Sequence, residues 1–120
     1  MKTATIRISR DSRKALDEMG KRFINTWKTG KTADTLIQFE SPKALFSVLT
    51  PKRWELIECL QSIGPASLRG LARELERDVK RVHQDVHILL EWGLVAHTED
   101  GKVYVPYDRI HADFDLHAVA

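Results

Sequence analysis

With 120 residues, 42% of them apolar and 30% charged, the chain has the size of one compact unit, or of a small domain with an appended arm. One cysteine, Cys59, excludes an intrachain disulfide and a cysteine-based zinc site, and on an expected helix it reads as a small core residue. No apolar run is long enough to span a bilayer and no apolar leader opens the sequence, so a cytoplasmic protein without a membrane partner is expected. The net charge of +2 is too small to decide anything, but its distribution is uneven. Residues 1–33 hold nine Lys/Arg against three acids, and residues 97–120 hold five acids against Lys102 and Arg109. A basic front and an acidic tail attract each other, within one chain or across a dimer, and a basic front also suits phosphates.

In chain order, Ala4, Ile6 and Ile8 alternate with Thr5, Arg7 and Ser9, the period of a half-buried strand. Ser9 or Asp11 then caps an expected helix to about Phe23, and residues 25–33 read as a loop. Thr35 to Glu40 is a second short strand. Ser41-Pro42 and Thr50-Pro51 repeat one helix-starting device, a hydroxyl cap followed by a proline whose missing N–H costs nothing there. The first opens a short helix with Leu45, Phe46 and Leu49 on its apolar face. The second opens a helix over 52–63 with Trp54, Ile57, Leu60 and Ile63 at helical spacing, stopped by Gly64-Pro65.

Ser67 caps the next helix, Leu68 to Leu75, whose buried stripe is Leu68, Leu71, Ala72 and Leu75. Gly70 inside it costs about 1 kcal/mol relative to Ala, which points to close approach by a neighbouring helix. Asp78 caps a helix to Trp92 with Val79, Val82, Val86, Leu89 and Leu90 inside, and Gly93 is its left-handed stop. Leu94 to Ala96 and Lys102 to Val105 are strands joined by a turn at Asp100-Gly101, and Pro106 ends them. In the tail, Ile110, Ala112, Phe114 and Leu116 alternate with His111, Asp113, Asp115 and His117, a half-buried strand in need of a sheet. The N-terminal strands, of this chain or another, are the candidates.

Helix, turn, helix, outward-facing helix and hairpin, in that order over 50–106, is the order of a winged helix-turn-helix. A helix that reads a major groove needs an apolar back and a front of donors and acceptors. The helix 78–92 has both, with Lys80, Arg81, His83, Gln84 and His87 outward and Arg77 just before it. Arg81 is suited to fork onto a guanine and Gln84 to pair with adenine, while Arg77 and Lys80 hold phosphate. Ser67 and Arg69, at the start of the preceding helix, add backbone contacts, and Arg73 adds charge. In the hairpin tip Lys102 is the lone cation beside Glu99 and Asp100, so the wing offers at most one phosphate contact.

Ser67 through Leu75, then Val79 through Gly93-Leu94-Val95 and the hairpin, resemble the MarR/ArsR-like winged-helix regulators. A wider resemblance rests on Leu49-Thr50-Pro51-Lys52-Arg53-Trp54-Glu55-Leu56, on Arg77 through Val86, and on Val105-Pro106-Tyr107-Asp108. These runs are similar to a small prokaryotic family of predicted transcriptional regulators, some of them like the antitoxin half of toxin–antitoxin pairs. That resemblance implies a homodimer that binds double-stranded DNA, with repression of its own operon and capture of a toxin protein as further roles. The expected architecture is α+β: an N-terminal β-α-β arm for dimerisation or partner binding over 1–41, a winged helix-turn-helix DNA-binding domain over 42–106 and a C-terminal strand over 107–120. The alternative is an antitoxin or protein-interaction module that binds through the arm or the acidic tail.

Three other readings are weaker. Thr5 to Ser9 followed by a helix also looks like the opening of a ribbon-helix-helix protein, yet no second helix is written at 25–40. His83 and His87 have zinc-compatible spacing, but Gln84 stands where a metalloprotease needs Glu. The face of His111, Asp113, Asp115 and His117 reads as wet surface rather than a chelate. No phosphate-cradling loop or nucleophile elbow is present, so neither an enzyme nor a cofactor is expected.

Overall fold

A computed structural model describes residues 2–9 and 35–116. The helix expected to Phe23, the loop at 25–33 and His117 lie outside the described residues. The described elements are β1 (Thr3–Ile8), β2 (Thr35–Phe39), α1 (Pro42–Val48), α2 (Pro51–Ile63), α3 (Leu68–Leu75), α4 (Val79–Glu91), β3 (Ala96–His97), β4 (Val103–Tyr104) and β5 (Arg109–Ala112). The fold is α+β. The chain divides into two units: residues 1–46 with 109–120, and residues 47–108. None of the described helices is long and apolar enough to cross a membrane.

The first unit is built on a parallel sheet in the order β2-β1-β5. Ile6 of β1 pairs with Ile37 on one side and with Ala112 on the other. Alternation alone made β1 a half-buried strand, yet Thr5 is buried together with Ala4 and Ile6. The reason is position: a central strand of a parallel sheet is covered on both faces. With both edges of β1 occupied, it has no free edge for a DNA-reading ribbon with a second copy, which removes the ribbon-helix-helix reading. The C-terminal segment supplies the third strand to this same sheet. Its ladder ends sooner than its alternation: Asp113 N–H donates to Ile6 O at 3.3 Å, and beyond it Phe114 and Leu116 are exposed. Ser41 Oγ accepts from Ala44 N–H at 3.1 Å and starts α1. Leu45 is buried, whereas Phe46, expected on the same apolar face, is exposed and meets the Phe114 ring edge-on at 6.3 Å.

The second unit packs α2, α3, α4 and the hairpin around Leu49, Leu56, Ile57, Leu60, Leu71, Val82, Val86, Leu89, Leu94 and Val103. Thr50 Oγ1 accepts from Arg53 N–H at 3.4 Å and Ser67 Oγ from Gly70 N–H at 3.0 Å, as their spacing predicts. The buried stripe of α2 is Leu56, Ile57 and Leu60, so Trp54 is only half-buried and Ile63, in the last turn, is exposed. Likewise Val79, in the first turn of α4, is exposed and Leu90 half-buried, leaving Val82, Val86 and Leu89 as its core face. Gly70 has a different reason from the one expected. A Cβ there would meet Ser67 Oγ at 3.1 Å, and among the described residues no side chain of another helix comes within 4 Å of it. The glycine makes room for its own cap, not for another helix.

Two helix ends close in the same way. After α4, Gly93 takes φ +76°, Leu94 N–H donates to Leu89 O at 3.0 Å and Gly93 N–H to Leu90 O at 3.1 Å, a Schellman motif. After α3, Arg77 N–H donates to Ala72 O and Glu76 N–H to Arg73 O with Glu76 at φ 53°. A non-glycine residue carries that left-handed conformation at a cost of about 1 kcal/mol. Asp78 is the N-terminal boundary residue of α4, but its side chain makes no capping hydrogen bond, contrary to expectation. Leu94 and Val95 are buried between α4 and the hairpin rather than paired as strand. Ala66 adds a third segment to the hairpin, exchanging two backbone hydrogen bonds with Val103 at 3.0 and 2.9 Å. Tyr107 is buried in this unit, its hydroxyl donating to Gly93 O at 3.0 Å and its carbonyl accepting from Gln61 Nε2 at 3.3 Å. Tyr107 thus goes with the helical unit and not with the C-terminal strand. Cys59 is half-buried, and burial, then the Glu74 carboxylate, raise its thiol pKa, which keeps it protonated.

Candidate nucleic-acid interface

The face of α4 follows from helix geometry. Successive residues turn by about 100°, so Val82, Val86 and Leu89 share one side. Lys80, Gln84 and His87 lie opposite them, and all three are exposed. His83 is exposed on one flank, towards Val79, and Arg81 on the other, towards Asp85. Thirteen residues make α4 about 20 Å long, enough to lie across a groove. His87 Nε2 lies 3.2 Å from Glu91 Oε1, both well exposed, so an acid sits at the C-terminal end of this face.

The remaining sequence-chosen residues occupy different surroundings. Ser67, Arg69 and Arg73 are exposed on α3, with the Ser67 hydroxyl engaged by the Gly70 N–H. Lys102 is exposed in the hairpin tip, 4.0 Å from Asp100. Thr98 Oγ1 donates to Asp100 Oδ1 and accepts from Lys102 N–H at 3.0 Å. The Thr98 hydroxyl, backed by backbone N–H donors and the Lys102 ammonium, lowers the Asp100 pKa below its ordinary value. The tip therefore keeps an anion beside its cation.

Arg77 was expected to hold phosphate, but its guanidinium is engaged inside the protein. Arg77 Nη2 donates to Asp85 Oδ2 at 2.7 Å, and Arg53 Nε donates to Asp85 Oδ1 at 3.0 Å. Arg53 Nη1 also donates to Val48 O at 2.7 Å and Ser47 O at 3.4 Å, at the last turn of α1. One carboxylate thus joins α2, the α3–α4 turn and α4, with the three side chains only 13–15% exposed. Two guanidinium charges face one carboxylate, and Arg77 Nη1 is buried with no hydrogen-bond acceptor among the described residues. The cluster retains one positive charge where water screens it poorly.

Sequence reasoning missed Arg53, Asp85 and Lys52. Above the cluster, an open hollow of about 730 Å³ is lined by Thr50, Pro51, Lys52, Arg53, Arg77, Arg81, Gln84 and Asp85. The start of α2 and the first half of α4 form its walls. The only earlier sign of this was that Thr50-Pro51 places Lys52 in the first turn of a helix.

The fold and this face define an α+β protein whose helical unit presents a polar, cation-bearing helix. Residues 48–112, more than half of the chain, match the model of the HVO_A0114 family, and the chain belongs to that family. No curated protein and no solved structure matches it significantly. Among the described residues no group of His, Cys, Asp and Glu is arranged to hold a metal ion.

Proposed function

We propose that the chain is a sequence-specific DNA-binding transcriptional regulator in which α2, α3, α4 and the hairpin act as a MarR-like winged helix-turn-helix. The observation that carries this is the division of α4 between a buried back of Val82, Val86 and Leu89 and an exposed front of Lys80, Gln84 and His87. A major groove accepts one such helix and distinguishes its donors and acceptors. In this reading Gln84, at the centre of the front, contacts base edges, and Arg69, Arg73 and Ser67 hold the flanking backbone. Two copies acting as a homodimeric repressor place their α4 helices one DNA turn, about 34 Å, apart on a two-fold operator. Such a role belongs in the cytoplasm of a prokaryotic cell.

Selection of bound duplexes from a random pool tests this directly. The expected result is an enriched two-fold sequence whose half-site preference is lost in Gln84→Ala. A pool that stays random after repeated selection would remove the regulator reading. A second reading, a protein-partner or antitoxin-like module, draws on the exposed Phe46, Phe114 and Leu116 of the sheet unit. Co-purification of a neighbouring gene product, abolished by Phe46→Ser with Leu116→Ser, is the outcome that favours it.

A further inference from the structure

We propose that the hollow between the first turn of α2 and the first half of α4 is a seat for one backbone phosphate, held by Lys52 and Arg81. This rests on the DNA-binding reading and alters the division of labour that spacing alone suggests. Spacing made Arg81 a base reader; its place on α4 makes it a phosphate holder. Arg81 stands on the flank of the helix beside Lys52, about 60° or more from the centre of the front, where Gln84 lies.

Three observations converge on an oxyanion. Lys52 and Arg81 line the same hollow and are both exposed, so their charges are available to a ligand. Beneath them the Arg53–Asp85–Arg77 cluster carries two guanidinium groups on one carboxylate, so the floor is also positive. Glu76 and Asp78 line a second hollow that shares Lys52, Arg77 and Arg81 with this one, and among the described residues Asp85 is the one acid lining the hollow bounded by Thr50 and Gln84. Asp85 itself is occupied by both arginines, so it does not oppose the ligand. A phosphate held between Lys52 and Arg81 lies on the Arg81 flank, at the edge of the α4 front. A helix entering a groove meets the backbone at that edge, so the seat fixes the depth and register of α4 without reading sequence.

Two measurements on the full chain test this. Duplex binding across a salt series is compared for wild type, Lys52→Ala and Arg81→Ala, on a selected operator and on a scrambled duplex. Separately, inorganic phosphate is titrated while backbone amide resonances are followed. The expected result is that each substitution weakens both duplexes alike by about tenfold, lowers the log–log salt slope by about 0.9, and keeps the operator preference. Phosphate should shift the amides of Lys52, Arg81 and Gln84 saturably, and the shifts should vanish in Lys52→Ala. Duplex binding with an unchanged salt slope in Lys52→Ala would overturn the seat and leave the DNA reading intact, as would loss of operator preference in Arg81→Ala. Saturable phosphate shifts in a chain that binds no duplex would instead overturn the DNA reading and with it the assignment of the phosphate to a backbone.

Discussion

In the helical unit, 47–108, the caps at Thr50 and Ser67 and the helix stops are made by residues a few positions apart. In the sheet unit, Ile6 finds its partners at Ile37 and Ala112, at distant points of the chain. The first arrangement assembles from local hydrogen bonds and periodic apolar faces. The second needs long loops to close before any strand is paired, which makes it the costlier structure to form. The difference also separates two kinds of surface. The helical unit shows a polar front on α4 with Ile63 and Val79 exposed in end turns, whereas the sheet unit leaves Leu116 and the contacting Phe46 and Phe114 rings exposed.

The comparison is sharpened most by core substitutions. Leu89, fully buried among the helices, should cost about 4 kcal/mol on replacement by Ala, and Ile6 in the smaller sheet about 3 kcal/mol. Urea denaturation of both variants checks this, and an Ile6→Ala variant costing more than Leu89→Ala would reverse the ranking of the two cores. Next comes Asp85→Ala, which leaves two poorly exposed guanidinium groups facing each other. It should cost about 3 kcal/mol, and Arg77→Met with Arg53→Met in the same background should recover most of the loss. No recovery would mean that the arginines matter for packing rather than charge.

A smaller effect, of opposite sign, is expected at the α3 stop. Glu76→Gly relieves the left-handed strain and should raise stability by about 0.5–1 kcal/mol, whereas Glu76→Val should lower it. Smallest is the pH response of the hairpin tip. The Asp100 pKa is lower in the folded chain than its ordinary value of 3.8, chiefly through the Thr98 hydroxyl. Its contribution is therefore complete above that ordinary value and is lost as pH falls through the lowered folded value. The Thr98 and Lys102 amide resonances should move together on acidification and stay still in Asp100→Asn.

Much of the helical unit is legible in the sequence because its signals are local. Thr50-Pro51, Ser67 and Gly93 announce helix ends, and the caps and the Schellman motif form where they stand. Beyond the Asp78 cap and the reason for Gly70, the errors fall where periodicity has no neighbour to answer it. Ile63 and Val79 fit their stripes but sit in end turns and are exposed. The alternation of Phe114 and Leu116 continues past the last ladder bond at Asp113. In the candidate interface, the outward face of α4 could be read from spacing, but Lys52 and the engagement of Arg77 could not.

By itself the sequence determined the order of the described helices and strands, the caps at Thr50 and Ser67, the stop at Gly93 and which face of α4 is polar, since hydrogen bonds and apolar repeats within one or two turns decide these. Only the tertiary structure decided that β1 is a central strand, that the C-terminal segment completes its sheet and that Asp85 clasps Arg53 from 32 residues away. Those depend on which distant segments meet when apolar faces are buried, and a charge is free or engaged only once its neighbours in space are fixed.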